Sequence, residues 1–312
     1  MKKYIILSLF VCLLSYKSQG QQDIQYTQFM FNKLNFNPAY AGAKSSFYLS
    51  TIYRKQWIGI ERAPQSITLN AAGAVLKKRL GLGLSVSYDE IGFSNRVSIE
   101  TNYAYIIRFK NKSFLSLGLR GSMNYNQIRW DQADLIDNFD IAIPPSMTST
   151  ILPNFGAGAY YEAKNFYVGI SVPHIFANDG DFNISSSSGT VEPDFTQHYY
   201  LMGGLTFDLP KSKVQIQQNL LLKYVVNAPM AIDINLSFVF LRRILFGVTY
   251  RVGSSISAIV QIQATPQFGI AAAYDYSTNA LREYNSGSIE VMLSYWFVKN
   301  KDIDELYNER FF

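Results

Sequence analysis

Histidine is the usual proton shuttle near neutral pH, and this chain of 312 residues has two, His174 and His198. A hydrolase of the serine type needs a hydroxyl paired with an imidazole that a third group orients. Ser171 lies three residues before His174, a spacing that puts the two on opposite faces of a strand. The spacing speaks against a nucleophilic pair and for histidines held in a lumen or a loop. Four aspartates, Asp131, Asp134, Asp137 and Asp140, share the stretch from Asn126 to Pro153. A calcium loop places oxygen ligands at tighter alternate positions with a glycine at the sharp turn, so this spacing fits a solvated loop. The single cysteine, Cys12, sits inside an N-terminal apolar run and follows Val11, where a lipidated cysteine would follow a small residue. No enzyme activity, metal or cofactor is expected.

The remaining chemistry lies in charges that recur at a strand's spacing. Arg54, Glu100, Arg108, Arg120, Glu162, Lys223, Asp233, Arg251, Asp275 and Glu290 all take the polar parity of their segments. They divide equally between the two signs. A pore selective for one sign carries rings of like charge, whereas balanced charges pair and hydrogen-bond across a lumen. The pattern predicts a luminal charge network and a plugged or narrow interior.

The elements that carry these charges alternate apolar and polar or tiny side chains. Leu80, Leu82, Leu84, Val86 and Tyr88 share one face of a strand, and Gly81, Gly83, Ser85 and Ser87 share the other. Fourteen such segments fall near 46–57, 65–75, 80–89, 95–109, 113–126, 154–162, 165–173, 196–208, 213–226, 230–241, 243–252, 255–264, 267–276 and 287–298. The reading is an all-β, transmembrane, antiparallel up-and-down β-barrel of about 14 strands. The connections separate by parity. Every even-numbered one is tight, among them Lys77-Lys78-Arg79, Lys110-Asn111-Lys112 and Leu241-Arg242-Arg243. The three longest, from Asn126, His174 and Ser277, are odd-numbered, as expected of short periplasmic turns and longer outer loops. Tyr53, Trp57, Tyr88, Tyr125, Trp130, Tyr167 and Tyr295 lie near strand ends, where interfacial aromatics are expected. Gln218, on an outward parity beside Ile216 and Leu220, is the worst exception to the pattern.

Composition agrees. The chain is 48% hydrophobic with a mean hydropathy of zero, a balance that suits lipid on one side and polar groups on the other. Residues 1–20 read as a signal peptide, with Lys2 and Lys3, an apolar core and Ser18-Gln19-Gly20 as a small-x-small cleavage site. Its removal would leave 25 basic and 23 acidic residues, too even a balance for a nucleic-acid partner. Residues 21–44 form a leader or plug segment, 45–298 the barrel and 299–312 a short periplasmic tail. The leader is rich in amides and aromatics, and Asn37-Pro38 forces an extended or turning backbone. Physics alone leaves a luminal plug, a periplasmic clasp and an unstructured leader all open.

Asn37-Pro38-Ala39-Tyr40-Ala41-Gly42, then Tyr53-Arg54-Lys55-Gln56-Trp57 and Ala63-Pro64, closely resemble the N-terminal signature of the PorP/SprF family. Pro153 to Tyr161 and Val168 to His174 resemble its mid-chain pattern. The resemblance implies an outer-membrane accessory of type IX secretion that exports or anchors a cognate surface cargo or adhesin, with periplasmic subunits as further partners. It marks Asn37, Pro38, Ala39, Gly42, Arg54, Gln56 and Trp57 as structural or partner-binding positions. The expected role is a leader locked against the first strand, with Arg54 and Gln56 satisfying its carbonyls. Fourteen strands with a leader also resemble FadL-like outer-membrane channels for small hydrophobic substrates.

Overall fold

In the computed structural model, residues 23–44, 46–130, 147–176, 196–209, 212–226 and 228–297 are described. The expected signal peptide with Cys12, the four aspartates from Asp131 to Asp140 and the tail 299–312 lie outside them. Fourteen strands follow one another along the chain: β1 (Phe47–Lys55), β2 (Gln65–Val75), β3 (Leu80–Ile91), β4 (Ser94–Arg108), β5 (Phe114–Ile128), β6 (Thr148–Glu162), β7 (Phe166–Val172), β8 (His198–Asp208), β9 (Val214–Val225), β10 (Ala231–Phe240), β11 (Ile244–Arg251), β12 (Ser255–Gln263), β13 (Phe268–Ser277) and β14 (Ser288–Phe297). Each pairs antiparallel with its sequence neighbours, and β1 pairs with β14 to close the barrel. Closure leaves the wall with no edge strand, the condition for strands in hydrocarbon.

The alternation seen in the sequence decides which face meets lipid. Ile67 and Leu69 of β2 are exposed while Thr68 and Asn70 between them are buried, and Tyr103, Tyr105 and Ile107 of β4 repeat the pattern. Gln218 does stand on the exposed face of β9. Tyr167 departs from expectation: at 2% exposure it points into the lumen rather than to the interface. Strand β6 begins at Thr148, within the stretch expected to be loop, and its Pro153 pairs with Met123 of β5. Proline survives there because β6 pairs with β7 only over Ala157 to Glu162, so the missing N–H faces no ladder. Beyond β7, irregular backbone continues the wall: Ile175 N donates to Phe155 O at 2.8 Å, and Asn154 Nδ2 to Phe176 O at 2.8 Å. Pro173 ends the strand period, so Ser171 and His174 are both buried on the luminal side instead of facing apart. Ser171 Oγ is spent on Phe36 O at 2.7 Å.

The even-numbered connections are short turns and gather at one end with Phe47 and Phe297; the long connections gather at the other. The short-turn end is the periplasmic one.

Candidate functional site

The leader occupies the lumen. Asp23 lies at the outer end beside His174 and His198, and Lys44 lies at the periplasmic end beside Glu162. Tyr26, Phe29, Met30, Leu34, Phe36, Ala39, Tyr40 and Ala41 are all buried and form the core of the molecule with the inward residues of the wall. A short helix, α1 (Lys33–Phe36), is followed by a 3₁₀ turn, Pro38–Tyr40.

The Asn37 to Gly42 block explains itself chemically. Asn37 is extended, as a residue before proline must be. Its Oδ1 caps the 3₁₀ turn by accepting from Ala39 N at 2.9 Å, and Pro38 opens that turn, where its missing N–H costs nothing. Its Nδ2 donates to Ala159 O of β6 at 3.0 Å and to Ile170 O of β7 at 3.2 Å, so one amide ties the leader to two strands. The small residues around it are spatial requirements. A Cβ on Gly118 would overlap the Ala39 backbone, one on Gly158 would overlap Asn37 Oδ1, and one on Gly81 would overlap the Ala41 carbonyl. Gly42, at φ +68°, turns the chain toward β1.

Four polar clusters hold the leader. In the first, Arg54 of β1 pairs with Asp275 of β13 at 2.7 Å and with Glu290 of β14 at 3.0 Å. The Glu290 carboxylate also accepts Thr27 N at 2.8 Å and Gln28 N at 2.9 Å, and Thr27 Oγ1 donates to Asp275. Across the lumen Asp233 of β10 pairs with Lys223 at 2.8 Å and Arg251 at 2.8 Å, and Arg251 Nη2 donates to Tyr26 O at 3.1 Å. In the second, Arg120 of β5 pairs with Glu100 at 3.1 Å while its two Nη atoms donate to Asn35 O and Leu34 O.

The third cluster surrounds Lys33, which is 1% exposed. Its Nζ lies 3.6 Å from the Tyr167 ring centroid, 5.5 Å from Tyr40 and 5.9 Å from Tyr160. Burial and then the neighbouring Lys44 push the ammonium well below its usual range, and Glu162 opposes that shift. Tyr160 hydroxyl donates to Glu162 at 2.7 Å, and Lys44 Nζ is 3.5 Å from the same carboxylate. The fourth cluster brings both histidines to one carboxylate: Asp23 lies 3.5 Å from His174 Nε2 and 3.7 Å from His198 Nδ1, and it accepts from Tyr200 hydroxyl at 2.9 Å. Burial pushes the Asp23 carboxyl up, but His198, His174 and the tyrosine together hold it below its usual range. His198 Nδ1 also lies 2.8 Å from Thr196 O. A ring nitrogen donating to that carbonyl has no lone pair for a metal, and among the described residues no group of three or more His, Cys, Asp or Glu could hold one.

The sequence-marked positions therefore separate. Glu100, Arg120, Lys223, Asp233, Arg251, Asp275 and Glu290 join Arg54 around the leader. Glu162 belongs to the Lys33 cluster at the periplasmic end. Arg108 is a correction: it has the inward parity but ends β4 exposed, with its Nε on Lys78 O and its guanidinium over Phe114. The wall side chains that take the leader's carbonyls are Arg120, Arg251 and Ser171, whereas Arg54 donates to Thr27 Oγ1. Sequence reasoning missed Lys33, Asp23 and Thr27, whose roles depend on threading a charged leader through the lumen. Gln56 and Trp57 leave the wall: Gln56 N donates to Pro64 O at 2.8 Å, and Trp57, at φ +46°, donates its N–H to Ser288 Oγ at 3.1 Å. They line an outer cup of about 440 Å³ whose floor is Asp23 to Gln25 and whose wall includes Arg54, Arg96 and Asp275. Beneath the floor the cavities beside the leader shrink to about 50 and 30 Å³.

A closed barrel with a greasy outer face and a lumen packed with its own leader defines an integral outer-membrane protein. The chain belongs to the family described as type IX secretion system membrane protein PorP/SprF, whose pattern matches residues 18–295. No curated protein matches the chain. Among solved structures it is similar to the outer membrane protein Omp33 of Acinetobacter baumannii, with 10% identity, TM-score 0.47, and 81% of this chain and 98% of that one covered. It is also similar to a TodX mutant monoaromatic hydrocarbon channel (8% identity, TM-score 0.48, 91% and 97% covered) and to a FadL homologue of Pseudomonas aeruginosa (11% identity, TM-score 0.45, 90% and 96% covered). Nothing about substrate transfers from these to the present chain.

Proposed function

We propose that the protein is a non-enzymatic adaptor of type IX secretion that helps attach a cognate cargo or adhesin at the cell surface. The observation that carries this reading is the filled lumen. Four clusters of buried polar groups fix the leader across it, and among the described residues the cavities of about 50 and 30 Å³ beside it are too small for an exported polypeptide. A barrel so filled suits a docking platform better than a conduit. The outer cup, with Trp57 and Gln56 at its rim, offers an aromatic face and an amide to a cargo segment. Deleting the gene and assaying surface delivery of the cargo tests it. Delivery should fall, and unchanged delivery with a correctly localised control would overturn the proposal.

A second reading, a channel for small hydrophobic substrates, is favoured by one feature: regular pairing between β6 and β7 stops at Ala157, so the outer part of that wall rests on irregular backbone. Liposome swelling or substrate uptake by the purified barrel would separate the two readings.

A further inference from the structure

We infer that the short-turn end of the barrel is a binding collar for the headgroups of anionic phospholipids in the facing leaflet. Five of the six short connections, all but Ala264 to Gln267, carry Lys or Arg. They follow one another around the wall from β2 to β11. Exposed acid at that end among the described residues is Asp208, which accepts from Gln215 Nε2. The opposite mouth mixes signs, with Glu61 beside Arg62 and Arg282 beside Glu283.

The placement of the cations points to lipid. The outward rows of β2, β4 and β10 end in exposed Val75, Phe109 and Phe240, and the basic residues come within three positions of them. Leu76 and Leu241, inside the turns, are 72% and 59% exposed. Each turn thus continues the apolar face for a residue and then turns cationic, the arrangement by which long basic side chains lie along an apolar surface and present their heads to phosphate. Backbone conformation adds a separate observation. Lys77, Lys78, Lys112 and Arg242 all adopt φ between +54° and +66°. Tight hairpins favour Asn or Gly there, and a β-carbon costs about 1 kcal/mol or more per residue. Leu76 and Leu241 of the same turns share that conformation, so these turns keep an apolar and a cationic side chain together where Asn or Gly would be easier. A lipid annulus meets turns on every side of the barrel, whereas a docked protein of ordinary size would need the cations on one side.

The test uses the full mature barrel in vesicles of phosphatidylethanolamine and phosphatidylglycerol, with spin-labelled forms of each lipid as probes of the motionally restricted shell. The parent should prefer phosphatidylglycerol about fivefold or more, the effect of even one interfacial cation, and salt near 1 M should erase the preference. Lys77→Gln, Lys78→Gln, Arg79→Gln, Arg242→Gln and Arg243→Gln combined clear two of the five basic turns and should lower the preference at least about twofold. Lys77→Arg with Lys78→Arg, and Arg62→Gln with Arg282→Gln at the other mouth, should leave it unchanged. Heat-modifiable mobility checks folding, and the salt series on the parent decides the matter even if a variant fails to insert. Equal restriction of both lipids by the parent, or a preference that the quintuple variant leaves unchanged, would overturn the inference. So would loss of the preference to inorganic phosphate at matched ionic strength, which would assign a soluble anion. Absence of a lipid preference together with retention of an acidic periplasmic protein through the same five residues would assign the surface to that protein instead.

Discussion

Replacing Glu290 with alanine should release the first turn of the leader. The Glu290 carboxylate is fully buried and accepts from Thr27 N, Gln28 N and Arg54 Nη1 at 2.8, 2.9 and 3.0 Å. Alanine leaves two backbone donors without an acceptor and Arg54 with Asp275 as its remaining carboxylate. Breaking a buried pair costs roughly 3–5 kcal/mol, a range that overlaps the loss of the two N–H bonds instead of adding to it. Taking about 4 kcal/mol, the fraction of molecules with a detached turn rises about 10³-fold. A cysteine at Met30, which is 4% exposed, reports the detachment through its rate of maleimide labelling, since labelling of a buried site tracks the open population. We expect Glu290→Ala to label at least about 10²-fold faster than the Met30→Cys parent. Glu290→Gln, which keeps an acceptor but not the charge, should fall between. A rate within about threefold of the parent, with the barrel's heat-modifiable mobility intact, would refute the idea that this carboxylate anchors the leader.

Other perturbations follow from the same geometry. Asn37→Ala should cost about 2–3 kcal/mol by stranding the Ala39 N–H and unpairing Nδ2-bound carbonyls of β6 and β7, measured as a lowered midpoint of thermal unfolding of the purified barrel. Gly118→Val should leave the barrel folded but expel the Pro38 to Tyr40 turn, seen as new protease cleavage within the leader. Lys33→Met should hold the leader as well as the parent does, because Lys33 Nζ has no hydrogen-bond partner and the cage would accept a thioether, whereas Lys33→Glu should free it. The Asp23 carboxyl is held below its ordinary 3.8, so its anchoring is complete above that value and is lost only as pH falls through the lowered value. Labelling at the buried Met30→Cys site should accordingly stay slow well into mild acid as far as Asp23 ionisation is concerned, and Asp23→Asn should speed it at neutral pH.

The wall was legible because hydrocarbon leaves strands no choice: period-two alternation and closure dictate each other. Strand β6 hid its first residues behind Pro153, which reads as a breaker until one sees that its outer half has no β7 neighbour. The expectation that Ser171 and His174 face apart failed for a related reason, since Pro173 ends the period that the parity argument assumes. Tyr167 looked interfacial by its place near a strand end, yet its inward parity was already visible. The charge network was readable in its membership, Arg108 excepted, because it occupies a strand end where inward parity no longer means enclosure. The leader's path was not readable from its own residues. Its imprint was nevertheless present in the wall: Gly81, Gly83, Gly118, Gly158 and Gly169 stand on inward positions of β3, β5, β6 and β7, where side chains would be needed to fill an otherwise empty lumen. A slot carved in glycine across neighbouring strands is the signature of backbone arriving from elsewhere.

The leader precedes β1 in the chain, yet its outer turn is gripped by Asp275 and Glu290, on the last two strands to be made. That grip on Thr27 and Gln28 therefore forms only when β13 and β14 are in place. The Arg54 to Glu290 bond crosses the β1–β14 seam, so the carboxylate that holds the leader also fastens the closure of the cylinder.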